Sequence, residues 1–288
     1  MTEGATKILT FAIVKYGRNG GTNKKASTNL RTAQTSLKMK RAISIILLTI
    51  TTNYLYGQKN VTNQDVIWYG LFTTFEINEK WYVQNEFQER HFVNPTAQHQ
   101  FLIRTHVHRL LGKSGWETSL GMCLFLQNSN DPNSTNRLTV PELRPHIEFA
   151  YKPKSEKITF DHRYRVEARF YHNTNTIRSE LEDGFNFGNF RFRYRLQSTI
   201  PLFKVAKKRY FKLKISDEIH LNAGNKISKN VFEQNRFYGG ISYNILQDLS
   251  FDIGYLNWFQ QRPTGDFYNR NILRFTFFHK LSSHKKKE

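Results

Sequence analysis

Residues 158–170, ITFDHRYRVEARF, and residues 190–200, FRFRYRLQSTI, determine the fold that we predict for this chain. In both segments a charged or polar residue alternates with a residue that is mostly aromatic or aliphatic. Alternation with a period of two residues over about a dozen positions is the mark of a β-strand and cannot arise from a helix. Both segments are therefore predicted to be strands with one apolar face and one charged face.

The same alternation recurs along the chain and predicts eleven strand segments. They are residues 65–77, 80–92, 99–111, 116–127, 140–152, 157–171, 187–200, 209–221, 235–246, 249–261 and 270–281. Every segment has 12 to 15 residues, more than the five or six usual for strands of soluble proteins. Short turns alternate with longer polar loops, as in an up-and-down membrane barrel. Bacterial single-chain barrels have even strand numbers, so we predict an all-β, antiparallel transmembrane β-barrel of 10–12 strands, with 12 favoured.

The amino-terminal part of the chain has the layout of an export signal. Residues 39–57 begin with Lys40 and Arg41, continue with a short apolar run and end in a polar region with the small residue Gly57. This run is too short to span a bilayer and is typical of a signal peptide, so we predict cleavage near Gly57. Residues 1–38 are then a disordered upstream extension, with Met1 and Met39 both open as the true start. The barrel occupies residues 58–288 and lies in the outer membrane of a Gram-negative bacterium.

The positive charge of the chain does not point to a nucleic-acid partner. The formal net charge is +20, but residues 1–57 hold nine Lys and Arg against Glu3 alone. In the predicted barrel, cations share one strand face with carboxylates, whereas a nucleic-acid footprint is a basic stripe with few acids. We therefore predict outer-membrane lipid and small anionic solutes as partners and exclude nucleic acid. The single cysteine, Cys123, rules out an intramolecular disulfide.

The charged strand faces are predicted to line the barrel lumen. An arginine at the lipid midplane costs about 2–4 kcal/mol, so reversing the strand with Arg191, Arg193 and Arg195 would be prohibitive. Tyr and Trp near the strand ends, Trp68 and Trp258 among them, resemble interfacial girdles. The predicted lumen-lining residues are Glu86, Arg90, Arg104, His106, His108, Arg144, Glu148, Asp161, Arg163, Arg165, Glu167, Arg169, Arg191, Arg193, Arg195, Lys212, Lys214, Glu218, Arg236 and Arg274.

Two roles for this lumen stay open. Cations and acids on neighbouring strands can form a salt-bridged core that fills a narrow barrel. Alternatively, the excess of cations over acids predicts a porin-like, anion-preferring channel, because cationic pore linings favour anions. His106 and His108 share one strand face, but a zinc site needs four ligands. We therefore place both histidines in the polar lumen and predict no metal and no cofactor.

Several stretches of the sequence carry a resemblance to a known family. They are the opening strand with Trp68, the segment FQER at 87–90, the pair DHRYRVEARF and FRFRYRLQSTIPL, FEQNRFYGGISYNI at 232–245 and GYLNWFQQ at 254–261. In these stretches, which extend over nearly all of the mature chain, the sequence resembles the outer-membrane barrel family catalogued as domain of unknown function 2490. The resemblance implies an outer-membrane barrel, and the family has no established activity to transfer.

Two alternatives belong to other functional classes. Some outer-membrane barrels modify lipids, but the histidines of this chain come with no nucleophile motif, so we predict no catalytic residues and no enzyme. A soluble exported β-sandwich that binds a partner would show the same alternation. Strand length and the alternation of short and long connections favour the membrane barrel over the sandwich.

Overall fold

A computed structural model of the chain describes residues 59–153, 158–206, 209–225, 227 and 230–282. The predicted extension 1–38 and the predicted signal peptide 39–57 lie outside the described residues. Eleven strands make up the regular structure of the described residues. They are β1 (Val61–Glu76), β2 (Trp81–Phe92), β3 (Ala97–Leu110), β4 (Trp116–Gln127), β5 (Val140–Tyr151), β6 (Thr159–Thr174), β7 (Leu181–Ala206), β8 (Arg209–Ala223), β9 (Phe232–Asn244), β10 (Leu249–Gln261) and β11 (Phe267–Ser282). Among these residues no helix has the length and apolar character needed to cross a membrane.

The strands close into a barrel in which each strand pairs with its neighbours in the sequence. Consecutive strands are antiparallel, whereas β1 and β11 pair in parallel, from Val61 opposite Phe267 to Glu76 opposite Ser282. The prediction of an all-β barrel is confirmed, but the favoured count of twelve strands and the purely antiparallel pairing are wrong. In an up-and-down chain an odd number of strands leaves the first and the last pointing the same way, so only a parallel ladder can close this barrel.

One hairpin is longer than the sequence pattern predicts. Residues 172–186 were expected to be a loop, but β6 continues to Thr174 and β7 begins at Leu181. Apolar alternation is weak there, and amide side chains support the pairing instead. Asn186 Nδ2 donates to Asn173 Oδ1 at 2.7 Å, and the Ser179 amide donates to Asn175 Oδ1 at 2.8 Å. Side-chain amides thus replace the apolar signal on which the prediction relied.

The two faces of the wall differ sharply in side-chain chemistry. On the inner face the residues Glu167 and Arg165 are only 0% and 2% exposed to solvent. On the outer face Leu120, Phe192 and Phe149 are exposed by 68%, 45% and 44%. The period of two residues in the sequence is therefore the alternation between a charged interior and an apolar exterior.

Asn85 and Asp217 are polar residues that interrupt the apolar outer face. Both lie in continuous register with their neighbouring strands, without a bulge at either position. Asn85 Oδ1 accepts a hydrogen bond from Thr105 at 2.8 Å, and Asp217 Oδ1 accepts one from Asn235 at 2.8 Å. Cross-strand partners on the same face satisfy these groups without disturbing the ladder.

Candidate functional site

Seventeen of the twenty predicted lumen residues border one internal cavity of about 310 Å³. Of the other three, His106 and Glu167 are fully buried and contact cavity-lining residues. Lys212 lies on the inward parity of β8, half-buried, and does not border the cavity. The seventeen are Glu86, Arg90, Arg104, His108, Arg144, Glu148, Asp161, Arg163, Arg165, Arg169, Arg191, Arg193, Arg195, Lys214, Glu218, Arg236 and Arg274.

Ion pairs fill the part of the lumen bordered by β5 to β8. Arg193 bridges Glu167 at 2.7 Å and Glu218 at 2.8 Å. Arg163 contacts the same Glu218 at 2.6 Å, and Arg165 reaches another carboxylate on β5 at 2.6 Å. Because most of these groups are buried, each charge needs its partner. In this part of the lumen, ion pairs between the strands of the wall neutralise the buried charges.

A second group of ion pairs lies toward the long loops. Glu142 accepts two hydrogen bonds from Arg144, both at 2.7 Å, and contacts Arg169 at 2.5 Å. Glu233 contacts Arg169 at 3.1 Å and Arg191 at 2.5 Å. Sequence reasoning missed Glu233 because it falls at the start of β9, within residues that we assigned to a loop. Its contacts run across the lumen between strands that do not pair, which no sequence pattern reveals.

The inward histidines belong to this hydrogen-bonded network. Glu86 contacts Arg104 at 2.7 Å and His106 at 3.0 Å, and His106 in turn contacts His146 at 3.2 Å. Among the described residues, no three His, Cys, Asp or Glu side chains are grouped so as to hold a metal ion. The hydroxyl of Ser119, opposite a histidine in the β3–β4 register, has no hydrogen-bond partner in the described part of the chain. It therefore lacks the base contact that a serine nucleophile requires.

A third region, which we call the arginine–tryptophan cluster, consists of Trp68, Trp258, Arg90, Arg236 and Arg274. The guanidinium carbons of Arg90, Arg274 and Arg236 lie 3.8, 4.7 and 5.6 Å from the centroid of the Trp68 ring. Both tryptophans are buried, at 4% and 2% exposure. Their predicted place in an interfacial girdle is wrong, because their even parity on β1 and β10 turns them into the lumen. The even positions of Trp68 and Trp258 in the sequence, shared with the inward residues of the same strands, could have predicted their place in the lumen.

A vestibule adjoins the lumen at the end of the barrel that carries the long loops. It is a cavity of about 500 Å³, lined by the asparagine-rich connection between β4 and β5, by the start of β9, and by the end of β10 with the loop that follows it. Gln127, Arg169, Glu233 and Gln260 border both this vestibule and the internal cavity. These four side chains therefore lie where the vestibule meets the internal cavity, which the arginine–tryptophan cluster also lines.

Comparison with known proteins connects the barrel to one family. Residues 65–269 match the model of a family described as protein of unknown function, DUF2490, and the match covers more than half of the chain. The predicted resemblance to this family is confirmed. No curated protein matches the chain.

Proposed function

The chain belongs to the DUF2490 family of proteins of unknown function, and we propose that it is an integral outer-membrane β-barrel stabilised by ion pairs in its lumen. The apolar outer wall is the observation that carries the proposal. Large apolar side chains such as Leu120, Phe203 and Phe237 are 68%, 58% and 51% exposed. Monomeric soluble proteins rarely expose apolar patches beyond a few hundred Å², whereas lipid is the natural contact for such a wall.

The charged interior of the barrel also supports the proposed membrane location. In water, apolar side chains collect inside and charges outside, but here Glu167, Arg165 and Arg193 are buried while phenylalanines face out. A soluble sandwich with this inverted arrangement would bury its charges and also leave its apolar surface in water. Insertion into a bilayer removes that apolar surface from water, and the lumen keeps the charges away from lipid.

Fractionation of cells that express the full chain tests the location. We expect the protein in the outer-membrane fraction and, on a gel, a band whose mobility shifts on boiling. Mass spectrometry of the purified protein should give an amino terminus near Gly57. A soluble periplasmic product would overturn the proposal, whereas a different cleavage position in a membrane-inserted barrel would overturn only the signal-peptide boundary.

A second function, passage of small anions, is favoured by the adjoining cavities. The vestibule and the internal cavity share four lining side chains, Gln127 and Gln260 among them, so the two cavities adjoin. The lumen beyond carries more arginines than carboxylates, which favours anions over cations. Current through the purified protein in a planar bilayer tests this function. Anion preference is expected, and zero conductance or cation preference would exclude it while leaving the membrane location intact.

A further inference from the structure

The arginine–tryptophan cluster holds three cations that lack a carboxylate partner. Elsewhere in the lumen the buried arginines contact acids within 4 Å, as Arg193 does with Glu167 and Glu218. Arg270 is the exception among the described residues, and its guanidinium donates instead to the side-chain amide oxygens of Gln64, Gln260 and Asn130. No ion pair of the described residues includes Arg90, Arg236 or Arg274. All three nevertheless surround one indole, that of Trp68, within 5.6 Å of its centroid.

Two neighbouring carboxylates could have neutralised the cluster but are held by other cations. Glu218 stands opposite Arg236 in the β8–β9 register, yet its oxygens contact Arg163 at 2.6 Å and Arg193 at 2.8 Å. Asp252 on β10 is inward-facing and contacts Lys214 at 2.6 Å. The cluster therefore keeps an excess of positive charge, because other cations hold both neighbouring carboxylates.

Hydrogen-bonding capacity is also unused in the cluster. Among the described residues, the Nε atoms of Arg90, Arg236 and Arg274 are buried without a hydrogen-bond partner, a feature shared with the ion-paired Arg104, Arg163, Arg191 and Arg195. The guanidinium of Arg90 donates to the amide oxygens of Gln88, at 3.1 Å, and of Gln100. Buried donors normally have partners, and buried like charges repel more strongly than charges in water. The lack of a carboxylate distinguishes the cluster from the ion-paired wall, and together with the open donors it makes the cluster suited to acceptor oxygens with negative charge.

We propose that the arginine–tryptophan cluster is a binding site for a small multivalent oxyanion of the phosphate or sulfate class. Guanidinium forks match the oxygens of such anions through paired N–H donors. The cavity of about 310 Å³ is roughly ten times the ~30 Å³ that one water molecule occupies in the liquid. It accommodates a tetrahedral oxyanion and a few waters, but not a lipid. The two indoles fix the guanidinium planes around the site through cation–π contacts.

Calorimetric titration of the purified, detergent-solubilised full chain with sodium phosphate tests this site, with sodium chloride at equal ionic strength as the reference titration. We expect saturable binding of phosphate, and of sulfate, that chloride does not reproduce. Arg236→Gln and Arg274→Gln should each weaken phosphate binding about tenfold or more, since hydrogen bonds to charged groups contribute that much. Neither substitution leaves a carboxylate without its partner, so both variants should fold.

Arg109→Gln is the matched control, because Arg109 stacks on Trp81 at 5.3 Å on the outer face of the wall. It removes the same charge from the same kind of contact, and phosphate affinity should not change. No saturable binding to a folded wild-type barrel, or equal weakening by Arg109→Gln, would overturn the site. Unchanged affinity in Arg236→Gln with a lowered unfolding temperature would reduce the cluster to a structural role and also overturn it.

The proposal goes beyond membrane location and anion passage, and the measurements keep the three apart. Phosphate binding by a barrel without conductance supports the site and excludes passage. Conductance without saturable phosphate binding excludes the site and supports passage. Phosphate binding by a protein recovered from the periplasm supports the site and excludes only the membrane location.

Discussion

Neutralising Glu142 should destabilise the barrel more than neutralising Glu167, although both carboxylates are buried. Glu142 is the only carboxylate that Arg144 contacts among the described residues, through two hydrogen bonds of 2.7 Å. Glu142→Gln leaves that buried cation without its partner, a loss of about 3–5 kcal/mol. Each arginine that contacts Glu167 keeps a second carboxylate, at 2.5 to 2.8 Å. Glu167→Gln then weakens charged hydrogen bonds only, a loss of about 1.5–3 kcal/mol.

Urea unfolding in detergent micelles, followed by the mobility of unboiled samples on gels, measures this difference in the free energy of unfolding. The double substitution Glu142→Leu with Arg144→Leu is the control. It removes the pair together, and Arg169 still contacts Glu233 at 3.1 Å, so stability should be close to that of the wild type or higher. Equal losses for Glu142→Gln and Glu167→Gln, or a double variant less stable than Glu142→Gln, would refute the reasoning.

Three further predictions follow from the barrel wall. Eleven strands with parallel closure put the two ends of the barrel chain on opposite sides. A tag before β1 and a tag after β11 should therefore react with an impermeant reagent from opposite faces of the membrane. Labelling of both tags from one face would contradict the parallel closure. Leu120→Arg on the outer wall should cost about 2–4 kcal/mol in lipid vesicles, whereas Thr135→Arg in the β4–β5 loop should cost almost nothing, and equal effects would argue against lipid contact. Gly121→Ala should destabilise by about 1–3 kcal/mol, since an added Cβ would lie 2.6 Å from His146 Nε2 and from a backbone oxygen. Gly239→Ala, where nothing lies within 4 Å, should be neutral in the same unfolding assay.

Much of the fold is visible in the sequence because one rule, alternation, applies to every strand. The alternation alone counts eleven segments, and the structure has eleven strands. We favoured twelve strands because bacterial single-chain barrels have even strand numbers, and that prediction is wrong. Strand ends were less predictable: β7 extends over Leu181–Ala206 rather than 187–200, because side-chain amides and turn geometry decide pairing where the apolar pattern stops.

Individual partners in the lumen could not be predicted, because they depend on distance across the barrel. Arg169 contacts Glu233 at 3.1 Å although β6 and β9 do not pair. The alternation along each strand predicts that both side chains point inward. Barrel diameter and strand tilt decide which inward side chains come into contact. The same limit applies to the arginine–tryptophan cluster. Its members look like other inward residues in the sequence, and only the three-dimensional contacts show that no carboxylate reaches them.

The division of the lumen into paired and unpaired cations restricts the anion passage that we propose. Arg163 and Arg169 link β6 with β8 and with β9, strands that do not pair with β6, so these strands cannot separate widely without leaving buried charges unpaired at high cost. A wide aqueous pore is incompatible with that wall, and only a narrow route past the unpaired arginines is left. Conduction also requires that an ion bind weakly enough to leave. If the barrel passes anions and the proposed site holds multivalent oxyanions, monovalent anions should pass and the bound oxyanions should block the current.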